Sequence, residues 1–308
     1  MTAPTLLKRD DTGFDLGPWM GAQLARVEQA LDQWVAPADS VPPALAQPMR
    51  YAVLDGGKRM RPLLVLAASE AAGGQGQAAL RAACAVEMIH AYSLVHDDMP
   101  CMDNDVLRRG KATVHVQFGQ ASALLAGDAL QALAFEVLAP EDGSVSLALQ
   151  GRLCGMLARA AGGRGMAGGQ AIDLASVGRS IDSEQLHEMH RLKTGALLQA
   201  SVLMGAACGS ADSVAMAHLA DYGASIGLAF QVVDDILDVT ADSKTLGKTA
   251  GKDAEQDKPT FVSLMGLRES RDYAQALLTQ AHNSLRGSGL RNTAALGALA
   301  DKLVHRAF

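Results

Sequence analysis

Two acidic groups could do chemistry in this chain of 308 residues. Asp97-Asp98-Met99-Pro100-Cys101-Met102-Asp103 holds three carboxylates, and Asp234-Asp235-Ile236-Leu237-Asp238 holds three more. Carboxylates this close repel one another unless a cation sits among them, and hard oxygen ligands of this kind suit Mg²⁺ bound jointly with phosphate oxygens. In the first group Asp97 and Asp103 would not share a face of a continuous helix. Pro100 removes a backbone donor and disfavours regular helix, so the chain can turn there and bring Asp103 back. In the second group Asp234 and Asp238 are one helical turn apart and project from the same face, while Asp235 points aside. The apolar run Ile226–Val233 leads into them, and acids emerging from a core helix are costly unless paired or metal-bound. Either group alone could be a solvated helix end. Together they read as facing rims of one cavity.

The cations sit beside these acids. Gly56-Gly57-Lys58-Arg59-Met60-Arg61-Pro62 is a tight glycine turn, three basic residues and a proline at a helix start, a pattern that lets amides and basic side chains converge on an anion. Arg108 and Arg109 follow the first acidic group, Lys248 and Lys258 follow the second, and Lys193 lies on the preceding helix. Each alone reads as a solvated face; with two metal-type acid groups, they read as a diphosphate site.

Helices must position all of this. Nearly every long segment repeats apolar residues at three- and four-residue steps, and none sustains a period of two. Helices are expected over Met20–Val35, Pro48–Val53, Pro62–Ala72, Gln77–His96, Ala121–Val137, Ser144–Ala161, Ser183–Gly209, Ser213–Asp238, Phe261–Arg286 and Ala294–His305. The composition agrees: 49% apolar and only 4% aromatic, so Ala, Leu, Val and Met must fill a close-packed interior. With no linker or repeat to divide it, residues 1–308 are expected to be one domain, with 1–17 as a flexible tail. Polar stretches Cys101–Thr113 and Val239–Thr260 interrupt the pattern as long functional loops. A net charge of -6 excludes a nucleic-acid footprint. Cys84, Cys101, Cys154 and Cys208 fall at no metal-ligand spacing and read as reduced core thiols of a cytoplasmic protein. No membrane span is expected; the charge-free stretch Thr194–Ala211 reads as a buried helix. Gly163–Gly168 spells G-x-G-x-x-G, but without a preceding strand it is no dinucleotide site.

Seven segments in order, GGKRMRP, HAYSLVHDDMPCMDNDVLRRGKAT, GDAL, GMAGGQAIDL, KTGAL, FQVVDDILD and GKTAGKD, identify the chain as similar to the trans-isoprenyl diphosphate synthases over almost its whole length. Within that family it most resembles the bacterial farnesyl diphosphate synthases. The resemblance implies an all-α fold of long antiparallel helices around a central cavity, usually a homodimer. It implies three Mg²⁺ ions bound by Asp97, Asp103 and Asp234, with Asp98 and Asp238 supporting through water or by bracing those ligands from behind. Arg108, Lys193, Lys248 and Lys258 would hold the allylic diphosphate, and Thr194 and Gln231 would line the path of the allylic cation. Gly57, Lys58, Arg61, His90 and Arg109 would hold isopentenyl diphosphate, with Arg306 closing over that site.

The implied reaction breaks the allylic carbon–oxygen bond, adds the double bond of isopentenyl diphosphate to the resulting cation, and loses a proton to the departing diphosphate. The hydrocarbon must run down between helices, and the wall one turn below Asp97 is set by Ser93 and Tyr92. A bulky Tyr92 should stop elongation early, and in the family an aromatic residue here accompanies the fifteen-carbon product. Tyr92 could also be a plain core aromatic. A geranylgeranyl diphosphate synthase shares every one of these motifs and is the alternative reading. A terpene cyclase would lack the Gly56–Pro62 turn, and a silent partner subunit would be free to lose acids from one rim.

Overall fold

Apolar steps of three and four residues become helices along most of the chain, because each such stripe must be buried against another. The computed structural model describes residues 13–37, 40–54, 56–74, 76–179, 181–240 and 259–307. In order, these are α1 (Leu16–Trp34), α2 (Pro43–Val53), α3 (Met60–Ala71), α4 (Gln77–Asp97), a two-residue hairpin β1 (Leu107–Arg108) and β2 (Lys111–Ala112), α5 (Val114–Phe118), α6 (Gln120–Leu138), α7 (Leu147–Ala161), α8 (Met166–Ser176) and α9 (Ser183–His190). A π-helical turn over Arg191–Gly195 then leads into α10 (Ala196–Ala207), α11 (Ser213–Thr240), α12 (Phe261–Met265), α13 (Leu267–Gly287) and α14 (Ala294–Val304), and a 3₁₀ turn follows over His305–Ala307.

Two large apolar clusters hold most of these helices together, and a small third one seats α5 against α4 and α6. One joins α1, α2, α4, α6 and α7 around residues such as Leu31, Met88, Leu130 and Leu157. The other joins α3, α10, α11, α13 and α14 around Leu64, Val202, Tyr222, Ile236 and Leu299. Alanine and glycine let the central helices approach closely. A Cβ on Gly205 of α10 would lie 2.1 Å from the Val65 carbonyl of α3, closer than any side chain tolerates. At 1.5 Å per residue, α11 runs roughly 42 Å, long enough to carry the second acidic group from one end of the core to the other.

The expected helices are present, with instructive departures, the first being that α1 begins at Leu16, capped by Asp15, inside the stretch 1–17 expected as a flexible tail. Ser183–Gly209 is broken by the π turn, and Phe261–Arg286 is broken at Gly266, whose φ of +88° suits glycine. α8 occupies a glycine-rich stretch that carries no clear apolar stripe. Cys101–Thr113 contains the small hairpin. Cys84 is buried as expected, but Cys101 is exposed and Cys154 and Cys208 are only partly covered, so they are not all core thiols. Among the described residues α4 and α6, not Thr194–Ala211, are long and apolar enough to cross a membrane by length and composition; α4 is mostly buried in the core.

Candidate active site

α4 ends at Asp97, with Asp98 as its last, still helical cap. Past Pro100 the chain folds back: the Asp103 amide donates to the Asp97 carbonyl at 2.9 Å, and the Asp105 amide to the Asp98 carbonyl at 3.1 Å. Asn104 takes a left-handed φ of +53° to make that turn. Asp103 is thereby returned to Asp97. Burial raises the Asp97 carboxyl to about 6; Lys193 opposes the rise and Asp103 adds to it. Asp98 is nearly inaccessible and accepts from the Arg108 guanidinium, whose Nε lies 2.9 Å from each carboxylate oxygen.

A titration follows from that burial. In the metal-free protein, raising the pH from about 4 to about 7 forces a charge onto Asp97 that its surroundings resist, so this group's contribution turns against folding across that window. Wild type and Asp97→Asn should therefore melt alike near pH 4, with wild type less stable than the variant near pH 7. Divalent metal with inorganic pyrophosphate should stabilise wild type alone at the upper pH. A melting difference independent of pH would contradict this.

The Gly56–Pro62 turn gathers the opposite charge. Gly57 sits at φ +141°, and a Cβ there would meet Arg109 Nη1 at 2.5 Å; the same nitrogen donates to the Gly56 carbonyl at 2.6 Å. Burial and then the Arg61 and Arg109 guanidiniums hold His90 well below its ordinary range, so it is neutral. Burial lowers Lys58, as do Arg306 and Arg109, while Asp234 opposes them. Arg61 is 9% exposed, and its buried Nε has no acceptor among the described residues. Lys58, Arg61, His90 and Arg109 thus share one place, and the Arg61 Nε still lacks an acceptor among the described residues, as an incoming anion requires.

Arg59, which no spacing argument singles out, holds this turn. It has a left-handed φ of +45°, and its guanidinium donates to Glu28 at 2.7 Å, Glu87 at 2.7 Å and the Val53 carbonyl at 2.6 Å. The Arg59–Glu87 pair is almost wholly buried, and removing one partner strands the other charge. Glu87→Ala should cost about 3 kcal/mol in denaturant unfolding. It should also loosen the turn that carries Lys58 and Arg61, because Arg59 loses a buried partner. Unchanged unfolding would show that Glu28 alone suffices.

The π turn connects the helix of the second acidic group to the first group. Lys193 binds Asp173 of α8 at 2.5 Å and acts on Asp97. Gly169 permits this: a Cβ there would lie 2.1 Å from the Lys193 amide nitrogen. The Thr194 hydroxyl donates to Gln231 Oε1 at 3.1 Å, three residues before Asp234. Asp234 itself accepts from Arg306 Nη2 at 2.6 Å, and the guanidinium carbon lies 4.3 Å over the Phe230 ring. Arg306 therefore sits near Lys58, as a cap on that site would, yet is paired with the second acidic group. Asp235, expected to point aside, is buried and accepts from Gln231 Nε2 and from the Phe261 amide. Asp238 is buried on the same helix. Lys248 and Lys258 lie outside the described residues.

Tyr92 is buried on α4, its ring edge-on to His96 at 5.7 Å, and burial raises its hydroxyl while Gln131 of α6 bonds it. Gly127 leaves room for the imidazole, since a Cβ there would be 2.1 Å from His96 Nε2. Ser93 turns its hydroxyl back onto the His90 carbonyl at 2.9 Å. Two open grooves of ≈ 590 and ≈ 770 Å³ border Trp34 and Arg81 and contain none of the residues above.

A divalent cation fits these residues. Asp97 carries a charge its burial resists, Asp103 is folded against it, and every donor is a hard carboxylate oxygen. Among the described residues no three His, Cys, Asp or Glu side chains close into a metal cage, and Mg²⁺ is usually held by one or two carboxylates with water and phosphate oxygens.

The polyprenyl synthetase family model matches residues 42–288. A probable farnesyl diphosphate synthase of Sinorhizobium fredii is 48% identical over 281 residues, covering 89% of this chain and 83% of that protein. The chloroplastic geranylgeranyl pyrophosphate synthase 7 of Arabidopsis thaliana is 47% identical over 296 residues, covering 95% and 84%. The crystal structure of a geranyltransferase from Helicobacter pylori, complexed with magnesium and isoprenyl diphosphate, superposes with a TM-score of 0.84 at 34% identity over 96% of this chain and all of that one.

Proposed function

Because the chain belongs to the polyprenyl synthetase family, we propose that it condenses isopentenyl diphosphate head-to-tail with dimethylallyl or geranyl diphosphate to make (E,E)-farnesyl diphosphate. The observation that carries this reading is the bridge between the two acidic groups: Lys193 acts on Asp97 while its neighbour Thr194 bonds Gln231, one turn before Asp235.

Asp97, Asp103 and Asp234 would hold up to three Mg²⁺ ions, with Asp98 and Asp238 in support, and those ions would draw charge off the diphosphate and make it a better leaving group. Asp98 and Arg108 brace one another, so Arg108 faces the allylic diphosphate in a fixed orientation beside Lys193, with Lys248 and Lys258 completing the set. Lys58, Arg61, neutral His90 and Arg109 receive isopentenyl diphosphate, Gly57 leaving room for the Arg109 fork. Thr194 and Gln231 turn oxygen toward the allylic carbon as it gains positive charge. No side-chain nucleophile is needed; the proton leaves with the departing diphosphate. The test is turnover of isopentenyl diphosphate with geranyl diphosphate and Mg²⁺, followed by chromatography of the dephosphorylated product. One dominant fifteen-carbon alcohol is expected. Relatives named geranylgeranyl pyrophosphate synthases at comparable identity favour a second reading, a twenty-carbon product, and Tyr92 is what argues against it.

We further read the enzyme as a cytoplasmic homodimer. Only 39% of the most apolar stretch of α6 is buried, and Leu124 and Leu125 are 47% and 57% exposed, an apolar face suited to a second copy. Leu124→Glu with Leu125→Glu should halve the mass in sedimentation. An unchanged mass would place any dimer contact elsewhere.

A further inference from the structure

Asp235 is the acid of the second motif that the reaction above leaves without a task, and it is 2% exposed. Its oxygens are engaged on opposite sides. Oδ2 accepts the Phe261 amide at 2.8 Å, fixing the first residue of α12, and Oδ1 accepts Gln231 Nε2 at 2.9 Å. A carboxylate oxygen accepts, and the Gln231 amide presents its NH₂ to Asp235. Its oxygen then faces the other way, where the Thr194 hydroxyl donates to it at 3.1 Å. Both partners of the amide, Asp235 on its nitrogen and Thr194 on its oxygen, fit this orientation. The Thr194 proton is spent on Gln231, which leaves lone pairs of both oxygens for whatever lies alongside. The same carboxylate ties in the other wall, since the Phe261 ring packs 5.3 Å from His190, the residue that opens into the π turn.

We propose that Asp235 is a positioning residue that fixes the direction of the Gln231 amide dipole, so that oxygen rather than N–H faces the path of the allylic cation. This rests on the reading that Gln231 and Thr194 line that path. A dipole already aimed at developing positive charge lowers the barrier without tightening the ground state, so its loss falls on kcat and not on KM.

Asp235→Asn separates this from a merely structural role. Its amide oxygen can keep the Phe261 bond while its NH₂ faces Gln231, which must then reverse and turn N–H toward the cation. kcat should fall on the order of 10²-fold, with both KM values within about twofold. Adding Gln231→Glu gives that NH₂ an acceptor and returns oxygen to the path, so the double variant should recover most of kcat; a purely structural defect would not be rescued. Gln231→Met, which leaves Asp235 and Phe261 bonded, should also lower kcat at constant KM, and keeps the test open should Asp235→Asn fail to fold.

A binding measurement needs no turnover. Calorimetry with inorganic pyrophosphate and Mg²⁺ compares a prenyl ammonium analogue with its uncharged isostere. Wild type should prefer the cation, and Asp235→Asn and Gln231→Met should lose about tenfold of that preference. Preference without turnover in wild type would overturn prenyl transfer but support the dipole assignment. Unchanged kcat and unchanged preference in the variants would overturn the assignment itself.

Discussion

Asp97→Asn and Asp234→Asn should each lower turnover by on the order of 10³-fold while leaving the helical fold intact, since about 4 kcal/mol of charge stabilisation is lost with a metal-binding carboxylate. The two residues lie far apart in sequence and end different helices' apolar runs, so a shared loss is informative. Asp97→Asn removes a charge that burial already opposes, and its melting temperature near neutral pH should not fall. Asp234→Asn releases Arg306, whose guanidinium bonds it at 2.6 Å with 18% of that side chain exposed, a loss of only partly buried pairing. If both carboxylates serve one diphosphate, the double variant should fall far less than the product of the two single losses, because a broken unit cannot be broken twice. Steady-state turnover at saturating substrates and metal measures this. Two independent, multiplicative losses would place the residues at separate sites.

Tyr92→Ala should move the product from fifteen to twenty carbons. Tyr92 lies on α4 just over one turn before Asp97, and a turn rises about 5.4 Å, close to the reach of one isoprene unit. Its ring is fixed by His96 at 5.7 Å and by Gln131, so in place it is a rigid wall and not a side chain that swings clear. Removing a buried aromatic should lower stability by about 3 kcal/mol while leaving the carboxylates untouched. The product mixture after dephosphorylation is the readout. Turnover with an unchanged fifteen-carbon product would mean that Tyr92 is ordinary core and that the stop lies deeper.

Much of this was legible in residue order, for physical reasons. Pro100 announces the break that lets Asp103 return to Asp97, and the bond from the Asp103 amide to the Asp97 carbonyl is that turn. Gly56 and Gly57 announce the cation turn, whose Gly57 leaves space for Arg109. What escaped depends on contacts between distant segments. Helical periodicity puts Asp235 off the Asp234–Asp238 face but says nothing of Phe261, whose amide it caps. Arg59 looks like one more cation in a basic run until Glu28 and Glu87 enclose it. The π turn over Arg191–Gly195 has the apolar content of an ordinary helix; only the close approach of Gly169 to Lys193 betrays it. Arg306 was expected over isopentenyl diphosphate, and its bond to Asp234 follows from a chain crossing that no local pattern encodes.

Crystals soaked with Mn²⁺ and inorganic pyrophosphate, measured at the manganese absorption edge, ask the decisive question of where cations lodge. Anomalous peaks should lie against Asp97 and Asp103 on one side and Asp234 on the other, with pyrophosphate between them and Arg306 moved off Asp234. Peaks confined to other surface carboxylates, or pyrophosphate bound with Arg306 still on Asp234 and no metal beside either acidic group, would contradict a shared diphosphate site.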